Sequence, residues 1–232
     1  MPRLIVYVEG QTEEVFVNEL LQKHLLAKGY WEVSPRLMGK AGVKRGRGGV
    51  RSWPTALEDI VTQLKQDPTC FMTTMVDYYG MPAGDGVAWP GRIEARRLNG
   101  VKRALAVENA LRIDVAKALG KKFDANRFIP FVVLHEFEGL LFSDCSAFSR
   151  AIGRSDLEAP FTAIRETFLT PEDINDSKST APSKRIEKHF PGYRRQKPFL
   201  GPLAASTVGL QRIRKECPHF NDWLTTLEKV PS

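Results

Sequence analysis

Residues 70–80 read CFMTTMVDYYG, and residues 4–14 read LIVYVEGQTEE. Each opens on a short apolar run rich in β-branched side chains. Each then reaches a carboxylate, Asp77 or Glu9, and meets a glycine within three residues. Buried strands of a parallel sheet read as continuous apolar runs of this kind. In open α/β sheets the residues at their carboxyl ends face the crevice that takes ligands. Two carboxylates carried to one crevice by two strands make a hard, oxygen-rich site suited to Mg2+ or Mn2+. Metal-assisted phosphoryl chemistry is the expectation that follows.

Between and beyond these runs the pattern alternates. Thr12 caps a helix with Glu13 and Glu14 in its first turn, followed by Phe16, Leu20, Leu21 and Leu25 at helical spacing. A second strand is predicted over Trp31–Met38, interrupted by Pro35. A helix opens at Ser52 or Pro54, carries Leu57, Ile60, Val61 and Leu64 on one side, and stops at Asp67-Pro68. The segment 80–91, GMPAGDGVAWPG, is a Gly/Pro-rich loop and a candidate lid or a plain connector. Val101–Leu119 reads as a long helix, and Phe128–Leu134 as a fourth strand leading directly into HEFEGLLFSD. Alternating β and α elements imply an α/β fold with a mostly parallel central sheet flanked by helices. From about Asp144 only helical patterns follow, including Leu203–Glu216. The expected division is therefore an α/β core over residues 1–144 and an α-helical C-terminal part over 145–232.

The 232 residues carry 34 Lys and Arg against 27 Asp and Glu, a formal net charge of +7. The excess is clustered. One Gly-rich loop holds Lys40, Lys44, Arg45, Arg47 and Arg51 with no acid among them. A second group is Arg92, Arg96, Arg97, Lys102 and Arg103, and a third runs from Lys184 to Lys197. Clustered cations suit a polyanion, most plainly nucleic acid, although solvated surface reads the same way. The first loop contains no phosphate-binding P-loop motif. Cys70, Cys145 and Cys217 form no C-x-x-C pair, as expected of buried thiols in a cytoplasmic chain. No apolar run reaches membrane-spanning length, and the short apolar N-terminus reads as a strand rather than a signal peptide.

Five carboxylates gather at predicted strand ends: Glu9, Glu13, Asp77, Glu136 and Glu138. Their mutual repulsion would be costly without a cation. Glu13, Glu136 and Glu138 have a second reading as helix-start acids. Glu9 and Asp77 resist that reading, because a carboxylate at the mouth of a buried strand needs a partner. His135 precedes Glu136, but HEFEG is not H-E-x-x-H, so a zinc protease motif is absent. Lys184, in APSKR, is a candidate for stabilising a pentavalent phosphate or a leaving oxygen.

At VEGQTEEVF (8–16), VDYYG (76–80) and HEFEGLLF (135–142) the chain resembles the TOPRIM superfamily, which includes topoisomerases, DnaG-type primases and nucleases of the overcoming-lysogenization-defect (OLD) type. More closely, it is similar to a bacterial family of TOPRIM-like proteins often encoded beside ABC- or AAA-type ATPases. That family has motifs resembling EGxTE, DYYG, HEFE, PSKRI and CPHFxxWL. The resemblance implies a TOPRIM-like sheet and a Mg2+ or Mn2+ site with Glu9, Glu13, Asp77, and Glu136 or Glu138 as ligands. It implies Lys184 as the catalytic lysine. Tyr79 stands where the superfamily's D-x-D motif has its second acid, which removes one ligand.

Two functions follow as expectations. The first is a metal-dependent nuclease acting on DNA, with RNA as the alternative, as the effector of an ATPase-linked defence pair. In it Glu9, Asp77 and Lys184 are catalytic, and the 40–51 loop grips phosphates without reading sequence. The second is a non-catalytic TOPRIM-like module that binds nucleic acid or docks on an ATPase.

Overall fold

Strand β1 (Arg3–Val8) is buried from Leu4 to Val8 and lies inside the sheet. It pairs in parallel with β2 (Glu32–Leu37) on one side and β3 (Cys70–Asp77) on the other. β4 (Phe128–Ile129) adds parallel to β3, and a fifth short strand, β5 (Val132–Val133), also pairs with β3. The order is β2-β1-β3-β4. This is the mostly parallel α/β sheet that the apolar runs imply, with β1 and β3 buried along nearly their whole length.

A computed structural model describes residues 1–38, 49–121, 123–175 and 179–231. The chain divides into two units, Met1–Val132 rejoined by Leu227–Ser232, and Val133–Thr226. The HEFEGLLF segment, drawn into the α/β core by the sequence reading, falls in the second unit.

Two prolines shape the sheet. Pro35 stands opposite Val6, and β2 is the edge of the order, where a residue without an N–H is tolerated. Pro130 splits the predicted fourth strand into β4 and β5, because it has no N–H for the ladder. The Thr74 side chain repairs the gap. Its Oγ1 accepts from Phe131 N–H at 2.9 Å and donates to the Phe131 carbonyl at 2.8 Å. Val132 N–H turns instead to Glu108 Oε1, at 2.8 Å.

In the first unit, α1 (Gln11–Phe16) passes through a π-helical turn, Val17–Leu21, into α2 (Gln22–Leu26). Phe16, Leu21 and Leu25 are buried at the spacing that predicts a single helix. The other helices of this unit are α3 (Trp53–Gln66) and α4 (Val101–Leu119). The 80–91 loop is anchored near its end by Trp89. Trp89 is 1% exposed, packs on Trp53 with the rings tilted and their centroids 5.1 Å apart, and donates to the Arg51 carbonyl at 2.8 Å.

The second unit is helical, with α5 (Cys145–Ala151), α6 (Glu158–Arg165), α7 (Pro182–His189), α8 (Tyr193–Val208), α9 (Leu210–Glu216) and most of α10 (Pro218–Glu228). Phe142, Phe148 and Phe161 pack together at 4.8–5.6 Å between ring centroids. The helix predicted over Leu203–Glu216 is corrected. α8 starts at Tyr193 despite Pro198 and Pro202, and Gly209 separates it from α9. Burial of Leu200, Ala204, Ala205 and Val208, and packing of the helix on α5, offset the two missing N–H groups.

Candidate functional site

The sheet order reverses between β1 and β3. From β1 the chain crosses to β2 on one side, then returns to lay β3 on the other. Such a switch point leaves a crevice outside the carboxyl ends of the two strands. Glu9 follows the last residue of β1, and Asp77 is the last residue of β3. The register pairs Val8 with Met75, so Asp77 stands one residue further along the strand direction than Glu9.

The turn after Asp77 brings the two motifs together. Gly80 N–H donates to the Asp77 carbonyl at 3.0 Å, closing DYYG. A Cβ on Gly80 would stand 2.6 Å from Glu9 Oε2 and 3.1 Å from Oε1. The bare Cα therefore lets the Glu9 carboxylate reach the turn that follows Asp77. Asp77 is 8% exposed and Glu9 is half-buried. Glu13 is buried, and its Oε2 accepts from Gly10 N–H at 3.0 Å. This is one arm of a capping box, the other being impossible because Gly10 has no side chain.

Tyr7, on β1, donates its phenol proton to Asp59 at 2.8 Å. Burial first, and Asp59 second, push its pKa far above the usual tyrosine value. The Arg36 and Arg51 charges act in the opposite direction. Arg51 is half-buried, while Lys40, Lys44, Arg45 and Arg47 lie outside the described residues.

The remaining expected residues belong to the second unit. Glu136 Oε2 accepts from Ser183 N–H at 2.9 Å, at the N-terminus of α7. That bond joins HEFEG to PSKRI and places a carboxylate on the positive end of the helix carrying Lys184. Lys184 Nζ itself pairs with Glu187 at 2.7 Å. Glu138 is 0% exposed, and both its oxygens lie 2.9 Å from Lys197 Nζ. His135 is the one non-glycine residue with positive φ among the described residues, at 70°, and its Nδ1 lies 3.1 Å from Asn175 Nδ2.

Among the described residues, no three or more His, Cys, Asp or Glu side chains are gathered as a ligand set for a metal ion. The donors at the β1/β3 rim are carboxylate oxygens, the class taken by Mg2+ and Mn2+. Mg2+ is commonly held by one or two carboxylates, with water and substrate phosphate completing its shell, and Glu9 and Asp77 are donors of that kind.

Sequence reasoning missed two features. One is the pairing of Lys197, a member of the third basic cluster, with Glu138; it joins residues 59 apart and leaves no local signal. The other is Tyr78, 2% exposed, with the Arg92 guanidinium 3.8 Å and the Arg103 guanidinium 5.2 Å from its ring centroid. The second basic cluster was its signal, but burial of one member was not legible.

The fold is that of an α/β protein with a mostly parallel sheet, with Glu9 and Asp77 at the carboxyl ends of the two strands that flank the switch point. The chain belongs to the family described as "Domain of unknown function (DUF4276)", whose model matches residues 8–228. Among solved structures it is similar to the C-terminal region of the Xanthomonas campestris pv. campestris OLD protein. The identity is 16%, the TM-score 0.37, and 97% of each chain is covered. No curated protein matches the chain. No helix of the described residues is long and apolar enough to cross a membrane.

Proposed function

We propose that this protein is a divalent-metal-dependent nuclease that hydrolyses phosphodiesters of DNA, with RNA the less favoured substrate. The observation that carries the reading is the pair of carboxylates, Glu9 and Asp77, ending neighbouring parallel strands at the switch point, with Gly80 left bare against Glu9. The motif resemblance to TOPRIM proteins and the net charge of +7 support it.

In this reading Glu9 and Asp77 hold Mg2+ or Mn2+. Glu13 keeps the turn between β1 and α1 in shape through Gly10. When bound, the cation would polarise the phosphodiester and lower the pKa of a water. Glu138 is assigned to Lys197 rather than to the cation, because a buried carboxylate held through both oxygens is already compensated. Glu136 positions α7, and Lys184 remains the candidate catalytic lysine. The basic 40–51 loop supplies phosphate contacts, and an ABC- or AAA-type ATPase is the proposed partner. With Mn2+ supplied, Glu9→Gln and Asp77→Asn are each expected to abolish nicking of plasmid DNA. Unchanged cleavage in both overturns the assignment.

One observation favours a second reading, a module that binds nucleic acid without cutting it. Tyr79 occupies the place of the second acid of D-x-D. Calorimetry separates the two: DNA binding with no heat of Mg2+ or Mn2+ binding selects the module.

A further inference from the structure

Arg92 is a charged side chain that is 7% exposed. Its Nε is shut off from solvent and takes no hydrogen bond. Among the described residues no carboxylate pairs with Arg92, Arg96 or Arg103. After burial, Tyr78 is the strongest influence on Arg92 and favours its charge, in part through a side-chain hydrogen bond, while Arg96 and Arg103, both of its own sign, oppose it. Burial, the largest influence, pulls its pKa down from the usual arginine value. A buried cation among cations is unfavourable unless something compensates it.

The fold holds it there all the same. Gly91 has φ +72°, and a Cβ on it would stand 3.0 Å from Ala110 Cβ and 3.1 Å from the Ala106 carbonyl of α4. Only glycine lets the chain approach the helix this closely, and that approach fixes the next residue, Arg92. The Tyr78 phenol donates to the Arg92 carbonyl at 3.3 Å. The Arg92 guanidinium lies over the Tyr78 ring at 3.8 Å, and Arg103 reaches the same ring at 5.2 Å. The ring gives each cation a partial partner. It supplies no negative charge. Arg103 Nε is oriented by the Leu98 carbonyl at 2.8 Å, and Arg96 is exposed on the short 3-10 turn Glu94–Arg97. Tyr78 immediately follows Asp77, so the cluster borders the rim where β3 ends.

We infer that Arg92 and Arg103, both over the Tyr78 ring, form with Arg96 of the adjoining short turn a binding site for a phosphate group. Guanidinium forks match phosphate oxygens, and an incoming phosphate supplies the counter-charge that the chain withholds. The exposed Arg96 and the half-buried Arg103 meet the ligand, and buried Arg92 adds fixed positive charge behind them. Assigning that phosphate to a nucleic-acid backbone rests on the nuclease reading. Affinity for a phosphate group does not.

The test measures binding in EDTA, where no cleavage takes place. Anisotropy of a labelled single-stranded DNA is followed against salt for the wild type, for Arg96→Gln/Arg103→Gln and for Arg92→Met. Each variant is expected to bind roughly tenfold more weakly, with a salt slope shallower by about one to two. Arg92→Met is also expected to melt higher than the wild type, because it removes a buried charge that Tyr78 compensates only in part. A purely structural Arg92 would melt lower on replacement and leave binding untouched. In a second arm, inorganic pyrophosphate raises the melting temperature of the wild type and not of the variants. Stabilisation by pyrophosphate without oligonucleotide binding supports the site and assigns it a free phosphate ligand. Unchanged DNA affinity, unchanged salt slope and no pyrophosphate effect overturn it. Glu9→Gln is the control, expected to keep its DNA affinity here while losing cleavage in Mn2+. Failure of the nuclease reading would show only in the cleavage assay.

Discussion

A methyl group on Gly80 would sit 2.6 Å from Glu9 Oε2 and 3.0 Å from Val50 Cγ2. The nearest obstacle is the end of a flexible side chain, so the chain accommodates it by moving the carboxylate. Gly80→Ala is therefore expected to fold with little loss in melting temperature, yet to cut cleavage by roughly a hundredfold, as misplacement of a catalytic group by about 1 Å does. Parallel melts and nicking assays check this; full activity would detach Glu9 from the chemistry. Glu138 shows the opposite kind of carboxylate. It is completely buried and held by Lys197, whose side chain keeps 30% of its exposure. The shared motif HEFEG thus contains one acid, Glu136, that caps a helix and another, Glu138, that neutralises a lysine. Residue type and spacing alone could not tell these roles from metal ligation, because each depends on a partner more than forty residues away.

At the scale of elements, carboxylates borrowed from elsewhere complete helix ends. Ala181, before α7, has no capping side chain, and Glu136 takes its place. Glu172 does the same for α10, accepting from His219 N–H and Phe220 N–H at 3.0 Å each. Burial, the largest influence, raises the Glu172 pKa, outweighing the nearby His219 and the two N–H groups. Folded Glu172 thus holds its proton to higher pH than the unfolded chain does. The stability it contributes is present below the unfolded value of roughly 4.3. That stability drains as pH rises through the folded value. The wild type should match Glu172→Gln near the acid end and fall behind it as the pH approaches neutrality, which thermal melts across that range will show. A wild type that gains on the variant with rising pH would mean that the two N–H bonds dominate. Prolines mark where local reading misled: Pro130 breaks a strand that apolar composition joins, and α8 runs through Pro198 and Pro202.

For the whole molecule, the proposed cation binds the folded state and should stabilise it. At a hundredfold excess over its dissociation constant, Mn2+ is worth about 2.7 kcal/mol. For a chain of this length that is a rise of roughly 5–10 °C in melting temperature. Wild type should show the rise and Asp77→Asn should not; equal rises would place the ion elsewhere. The three cysteines are free and buried, and burial lifts the Cys70 and Cys145 thiols to about 11 and Cys217 well above its usual value. They serve as packing groups, as their scatter suggested. The sequence by itself determined the first three strand runs, the α/β class, the helical C-terminal part and the candidate acids Glu9 and Asp77, because each is written in local composition and period. Only the tertiary structure decided that β3 lies against β1 rather than β2, that Gly80 yields to Glu9, and that Arg92 is buried over Tyr78. Strand order and burial arise from contacts between distant segments, and no local period encodes them.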